Sequence, residues 1–288
     1  MIDFRYHIVS IIAIFLALGL GVVAGTTVVD RVVVDRLDDN LNELRRRLDE
    51  HRRDITELTA EREQANALVD QLAPAVSAGV LDGMQVLFVT GEDDADWHGR
   101  VRDAVTGAGG VDAGSIALTS KWLLEDPEDR DELIRAFGER AVSDRDPAGD
   151  GALQLGELLV GGGADGMLSR LTDAGFVRRS PSVEGGIFPP PNANVVVLAS
   201  SGREPLAALA RGAVRVTSAL AVAPDAEQLG TLATLRRIED PPPRLATFDN
   251  AADDPAGVGI VLALRAAAGG AGGHFGRGPG LRYIPAPP

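Results

Sequence analysis

Side chains able to do metal or covalent chemistry are few in this sequence, and they are scattered. The histidines are His7, His51, His98 and His274, the methionines are Met1, Met84 and Met167, and cysteine is absent. Without thiolates there is no cysteine-ligated zinc or copper, no disulfide and no cysteine nucleophile. Lys121 is the only lysine, so Schiff-base and P-loop lysine chemistry has a single candidate. The sequence contains neither HExxH nor a Gly-x-Ser-x-Gly elbow, and no phosphate-cradling glycine motif follows a strand. Glu92, Asp93, Asp94 and Asp96 form an acidic cluster beside Trp97 and His98. Clustered carboxylates can hold hard cations, but this spacing matches no EF-hand and reads more simply as a solvated loop. Ser200-Ser201-Gly202 sits between a strand-like and a helical run. A nucleophile or an anion site can occupy such a turn, while a polar helix cap is the plainer reading. Open parallel sheets collect ligands at the carboxyl ends of their strands. The candidate pocket is therefore Thr90, Ser200, Asp249 and Asn250, joined by His274 from a glycine-rich loop. These residues make no catalytic set, and a protein without enzymatic activity or cofactor is expected.

The elements that carry these positions read as α/β. Gln85–Thr90 (QVLFVT), Ser115–Thr119 and Asn194–Ala199 are short β-rich runs, and the last is nearly continuously apolar, as a strand covered on both faces must be. Ala213–Thr217 and Leu245–Phe248 read as further strands. Helices are expected over Trp97–Ala108, from Pro127 behind an Asp126 cap, over Leu153–Val160, Leu168–Ala174 and Glu204–Ala210, and from Asp254-Pro255 to Ala268. Strands alternating with helices predict an open, mostly parallel sheet flanked by helices over residues 82–268. Residues 269–288 form a tail rich in Gly and Pro, with an ordered loop at His274 and a loose end at Pro285–Pro288.

Ahead of this domain lie two helical segments of different character. Residues 8–29 form an uncharged 22-residue run, IVSIIAIFLALGLGVVAGTTVV. As a helix it would reach about 33 Å, enough for a hydrocarbon core of about 30 Å. A cleavable signal peptide is the competing reading, with a passable site at Val22-Val23-Ala24. The length and the uninterrupted passage into a second helix favour a retained anchor. Ala17, Gly21 and Gly25 recur every four residues, the small-residue spacing that lets helices approach closely in lipid. Residues 1–7 make a short tail, and the basic residues on either side of the span do not set its orientation.

From residue 30 to 73 the apolar residues step by three and four: Val34, Leu37, Leu41, Leu44, Leu48, His51, Ile55, Leu58, Arg62, Ala65, Val69 and Leu72. Sustained over roughly five and a half heptads, with mixed charges between, this pattern predicts a coiled coil. A parallel homodimer is expected, since β-branched residues at a with leucine at d favour two strands and an anchor on each chain enforces one direction. His51 and Arg62 interrupt the seam and read as register-setting residues. Two facing imidazoles would be the functional alternative, an incomplete metal site. Pro74 is expected to end the helix.

Net charge is −14 and the isoelectric point is near 4.7. No basic patch is present to neutralise phosphates, so nucleic acid is excluded as a partner. The expected architecture is thus α/β, with a single N-terminal transmembrane helix, a dimeric coiled-coil stalk and an open, mostly parallel sheet.

Three stretches carry a resemblance to a known family. They are Ile2-Asp3-Phe4-Arg5-Tyr6-His7-Ile8-Val9-Ser10 leading into the span, Thr247-Phe248-Asp249-Asn250, and Gly272-Gly273-His274-Phe275-Gly276-Arg277-Gly278. Together with the heptads they resemble the copper transport family typified by mycobacterial MctB and the related corynebacterial SteB proteins. The resemblance implies a role in copper transport and homeostasis, a main domain outside the cytoplasmic membrane, and copper as the associated metal. SteB-like members imply instead a part in cell separation and control of peptidoglycan hydrolases, with an envelope or division protein as partner. Copper(I) prefers sulfur and copper(II) clustered imidazoles; this sequence gathers neither, so the implied copper role is indirect or depends on assembly.

Overall fold

The computed structural model describes residues 4–91, 96–138, 140, 142–182, 188–199, 204–225, 230–278 and 280–285, with backbone alone at 4–5, 26–36, 38–39, 96, 204 and 255. The first compact unit comprises residues 1–65 and the second residues 66–288.

Helix α1 runs from Phe4 to Ser77. Within it Tyr6–Gly25 is long and apolar enough to cross a bilayer, with a mean hydropathy of 2.7 and no part buried against protein. A methyl group added at Gly21 or Gly25 would meet nothing within 4 Å, so the small-residue face is open. Further along, Leu37, Leu41, Leu44, Leu48, Ile55, Leu58 and Leu72 lie between 48% and 64% exposed. Val69, His51, Arg62 and Ala65 are exposed too, while the Val34 side chain is outside those described. The opposite faces carry short-range ion pairs, among them Arg47 to Glu43 at 2.9 Å. Pro74 does not end the helix, contrary to expectation. It removes only one backbone donor, close to the terminus, and the chain continues to Ser77. There Ser77 Oγ donates to Ala73 O at 2.7 Å and Ala78 N–H to Pro74 O at 3.0 Å.

The second unit is built on a seven-stranded sheet in the order β3-β2-β1-β4-β5-β6-β7. Its strands are β1 (Gln85–Thr90), β2 (Val111–Leu118), β3 (Val177–Pro181), β4 (Asn194–Leu198), β5 (Ala219–Val222), β6 (Leu245–Phe248) and β7 (Gly273–Phe275). Every pairing is parallel except β2 with β3. The helices are α2 (Asp96–Gly107), α3 (Pro127–Phe137), α4 (Pro147–Gly161), α5 (Asp165–Asp173), α6 (Glu204–Ala213), α7 (Gly230–Arg236) and α8 (Val258–Ala268).

Alternation along each strand divides the interior into two cores. Leu87, Val89, Val195, Val197, Ala219 and Ala221 face α3 to α7, packing with Trp122, Phe137, Leu155 and Phe176. Val86, Phe88, Val196, Leu198, Leu220 and Phe248 face α2 and α8, packing with Val101, Val105, Ile260 and Leu264. Because both faces are covered, the central strands are apolar throughout, which is why NVVVL was legible as a buried parallel strand. On the first side α4 and α6 come into backbone contact. A Cβ on Gly156 would strike Leu209 O, and one on Gly212 would strike Leu153 O. Glycine permits that approach, since no other residue type lacks the Cβ.

Several expected boundaries are corrected. Ala213–Thr217 is no strand: α6 extends to Ala213, and residues 214–217 turn back on it through Val214 N–H to Ala210 O and Thr217 N–H to Ala213 O, 3.1 and 3.0 Å. The strand is the next segment, ALAV, whose alanines have low β-propensity but fit beneath closely packed helices. β2 begins at Val111 rather than Ser115, and α4 begins at Pro147 behind an Asp146 cap. The last helix starts at Val258 rather than Pro255, because Ala256 (φ 49°) and Gly257 (φ 67°) are left-handed. Asp254 still caps it from a distance, accepting from Gly259 and Ile260 N–H at 3.3 and 3.1 Å. The loop expected at His274 is the edge strand β7, and β3 and α7 had no counterpart in the sequence reading.

Candidate functional site

Asp249, Asn250 and His274 gather at the carboxyl ends of β6 and β7, around a residue the sequence did not single out. Arg236, on the last turn of α7, donates from Nε to Thr247 Oγ1 at 3.0 Å, from Nη1 to Asp249 Oδ2 at 2.9 Å and from Nη2 to Phe275 O at 2.9 Å. Asp249 is fully buried and its other oxygen accepts from Arg277 N–H at 2.6 Å. The carboxylate is therefore satisfied on both sides. Gly276 (φ 125°) makes this possible, since a Cβ there would collide with Asp249 Oδ1. The Gly-His-Phe-Gly-Arg stretch is thus a close backbone pass across a buried acid.

Thr247 links the two side chains: its Oγ1 accepts from Arg236 Nε at 3.0 Å and shares a hydrogen bond with His274 Nδ1 at 3.0 Å, whose direction follows the tautomer of the ring. Burial pushes the His274 pKa below its usual value, and the positive charge of Arg236 adds to that. Asn250 is buried in a left-handed conformation (φ 65°), and its Nδ2 has no hydrogen-bond partner among the described residues. Nearby, burial raises the Asp254 pKa, and Tyr283 O–H donates to that carboxylate at 3.0 Å.

Thr90 lies elsewhere. β4 and β5 separate β1 from β6, so at about 4.8 Å per strand Thr90 and Asp249 sit roughly 14 Å apart. Thr90 instead lines a cavity of about 780 Å³ with His98, Arg102, Ser115 and Arg178. Trp97 packs edge-on against His98 with ring centroids 4.3 Å apart. Ser200, with Ser201 and Gly202, lies outside the described residues, as do Glu92, Asp93 and Asp94. The expected single pocket is therefore two places: a buried polar network under β6 and β7, and an open cavity beside β1. Arg236 was missed because no element was read over residues 230–236, and only β6 and β7 show that Arg236 turns inward.

For metal chemistry the donors are sparse. Among the described residues no group of three His, Cys, Asp or Glu is close enough to hold an ion. Met84 borders the core beneath α2 and α8, and Met167 belongs to the core on the other side of the sheet. The two thioethers therefore cannot share a copper(I) ion. His274 is a lone imidazole with one nitrogen engaged by Thr247.

A family model described as "Copper transport outer membrane protein, MctB" matches residues 1–285. Curated relatives similar to the chain include "Copper transporter MctB" of Mycobacterium tuberculosis (strain ATCC 25618 / H37Rv), 24% identical over 325 aligned residues covering 99% of each chain. The protein of that name from Mycobacterium bovis aligns with the same identity and coverage.

Proposed function

Because this chain belongs to the MctB family, we propose that it is a membrane-anchored envelope protein acting in copper transport and homeostasis, with its α/β domain on the extracytoplasmic side. The observation that carries the proposal is the family match over residues 1–285, which takes in the anchor, the heptads and the sheet together. The apolar Tyr6–Gly25 helix supports attachment to a membrane. The donor chemistry shapes the role: without clustered sulfur or imidazole among the described residues, the chain acts on copper indirectly or through an assembly. A single apolar helix encloses no pore, so conduction would also require several chains. The test is copper sensitivity of a deletion strain, paired with Cu(I) and Cu(II) titration of the purified chain. Unchanged sensitivity together with no binding above buffer competition would remove the reading.

A second reading has its own observation. The heptad face of α1 presents its leucines to solvent in the single chain, and an exposed apolar seam of that length calls for a partner. A parallel homodimer through Leu37, Leu41, Leu44, Leu48, Ile55 and Leu58 would bury it, with the Ala17, Gly21 and Gly25 face continuing the contact in lipid. The chain would then be a non-catalytic scaffold that presents its α/β domain to an envelope partner, a peptidoglycan hydrolase or division protein. Leu44→Pro should abolish crosslinking between copies; a variant that still crosslinks and localises like wild type would refute the scaffold.

A further inference from the structure

The cavity beside β1 has a cause in the topology. From β1 the chain crosses through α2 to β2 on one side, while β4 crosses through α6 to β5 on the other. Neighbouring crossovers that depart in opposite directions leave a crevice at the carboxyl ends of β1 and β4, the usual ligand position in open α/β sheets. Thr90 ends β1 and Leu198 ends β4, and both line the cavity. Its volume of about 780 Å³ suits an organic molecule rather than a bare ion.

The charge of the lining runs against that of the protein. The chain has 42 acidic and 28 basic residues, yet among the described residues Arg102, Arg178 and His98 line the cavity and no aspartate or glutamate does. Arg102 is held in place. Its Nη1 donates to Asp112 Oδ2 at 2.7 Å and its guanidinium lies 4.6 Å over the Phe88 ring, an arrangement that leaves further N–H donors on the fork. Ser115 and Ser180, paired across β2 and β3, add hydroxyls along the floor. Arg178 pairs with Ala117 one step further along the same ladder. Guanidinium forks over a floor of hydroxyls and small residues match the planar oxygens of a carboxylate or the tetrahedral oxygens of a phosphate.

We infer that this cavity is a binding site for a small organic oxyanion, carrying a phosphate or carboxylate group. The site is separate from any copper role, and its failure would leave the family reading untouched. The test is calorimetric titration of the full chain in a non-ionic detergent, free of copper, with pyrophosphate, citrate and neutral glucose as probes. One saturable site is expected for pyrophosphate or citrate and none for glucose, and the anion that binds identifies the class. Binding should weaken with salt. Arg178→Gln, on an exposed edge strand, should weaken it about tenfold or more. Ala117→Trp should block the cavity without changing charge, and Arg102→Gln serves as a third variant with near-ultraviolet circular dichroism reporting the fold. Saturation by neither anion below about 10 mM, or binding unmoved by both Arg178→Gln and Ala117→Trp, would overturn the site.

Discussion

Replacing Arg236 by methionine tests whether the polar network under β6 and β7 holds the domain's edge. The substitution keeps the aliphatic stem but removes three donations at once, to Thr247 Oγ1, Asp249 Oδ2 and Phe275 O. Asp249 is fully buried and the Arg236 side chain is 13% exposed, so water can replace little of what is lost. Asp249 would keep only the Arg277 N–H at 2.6 Å. Stripping one partner from a buried ion pair costs about 3–5 kcal/mol. For a domain of this size, at about 2–4 °C per kcal/mol, that is a fall in Tm of about 6–20 °C. Guanidinium denaturation of the full chain in non-ionic detergent, followed through Trp97 and Trp122, measures it. Neutralising the acid in the same protein, as Arg236→Met with Asp249→Asn, should recover part of the loss. The double variant should lie at least about 1 kcal/mol above the sum of the single changes. A loss below about 1 kcal/mol for Arg236→Met, or simple additivity, would refute the claim that the pair is electrostatically coupled.

Gly212→Ala should destabilise by about 1–3 kcal/mol or more, since the new methyl strikes backbone of α4 and forces the helices apart. Gly161→Ala, whose methyl meets nothing within 4 Å, is the matched control and should be neutral or mildly stabilising by thermal melts. Trp122→Phe removes the Nε1–H donation to Phe176 O at 2.9 Å, a carbonyl that keeps the Thr119 N–H at 3.0 Å, and should cost about 0.5–1.5 kcal/mol by denaturant titration. For His274 the folded pKa lies below the ordinary 6.5, so the unfolded chain takes up the proton first. Stability is therefore full above pH 6.5 and declines as pH falls through that value towards the folded pKa. His274→Gln should flatten the slope between pH 7.5 and 5.5, and an unaltered slope would assign it to another group. Asp254 acts in the opposite sense in a separate window: its carboxyl is raised by burial, so its contribution is lost as pH rises from 3.8.

How much was legible depended on whether a residue's role is set by its neighbours in sequence or by partners far along the chain. Asp126 with Pro127 announced α3 because a cap and a first-turn proline act within one helical turn. β1 and β4 were legible because burial on both faces leaves an apolar run that needs no knowledge of the partner strand. Ala213–Thr217 misled for the converse reason: β-branched residues favour strands on average, but here they turn beside α6 while the small ALAV segment takes the sheet position. Asp249 and His274 were singled out by type and place, and the structure brings both to one polar network. Arg236, which pairs with Asp249 directly and reaches His274 through Thr247, is 13 residues from one and 38 from the other, and nothing local marks it as buried.

By itself, then, the chain's order of residues determined an apolar helix long enough for a bilayer, a heptad face with leucines on one side, and an alternation that makes a largely parallel sheet. Each depends on periodicity, and periodicity is a local property. Only the tertiary structure decided that Thr90 and Asp249 belong to different places, that Arg236 turns inward, and that arginines from α2 and β3 line one cavity with the ends of β1 and β4. Those outcomes depend on strand order. The physical reason is that the sheet brings together residues whose separation along the chain carries no signal of their contact.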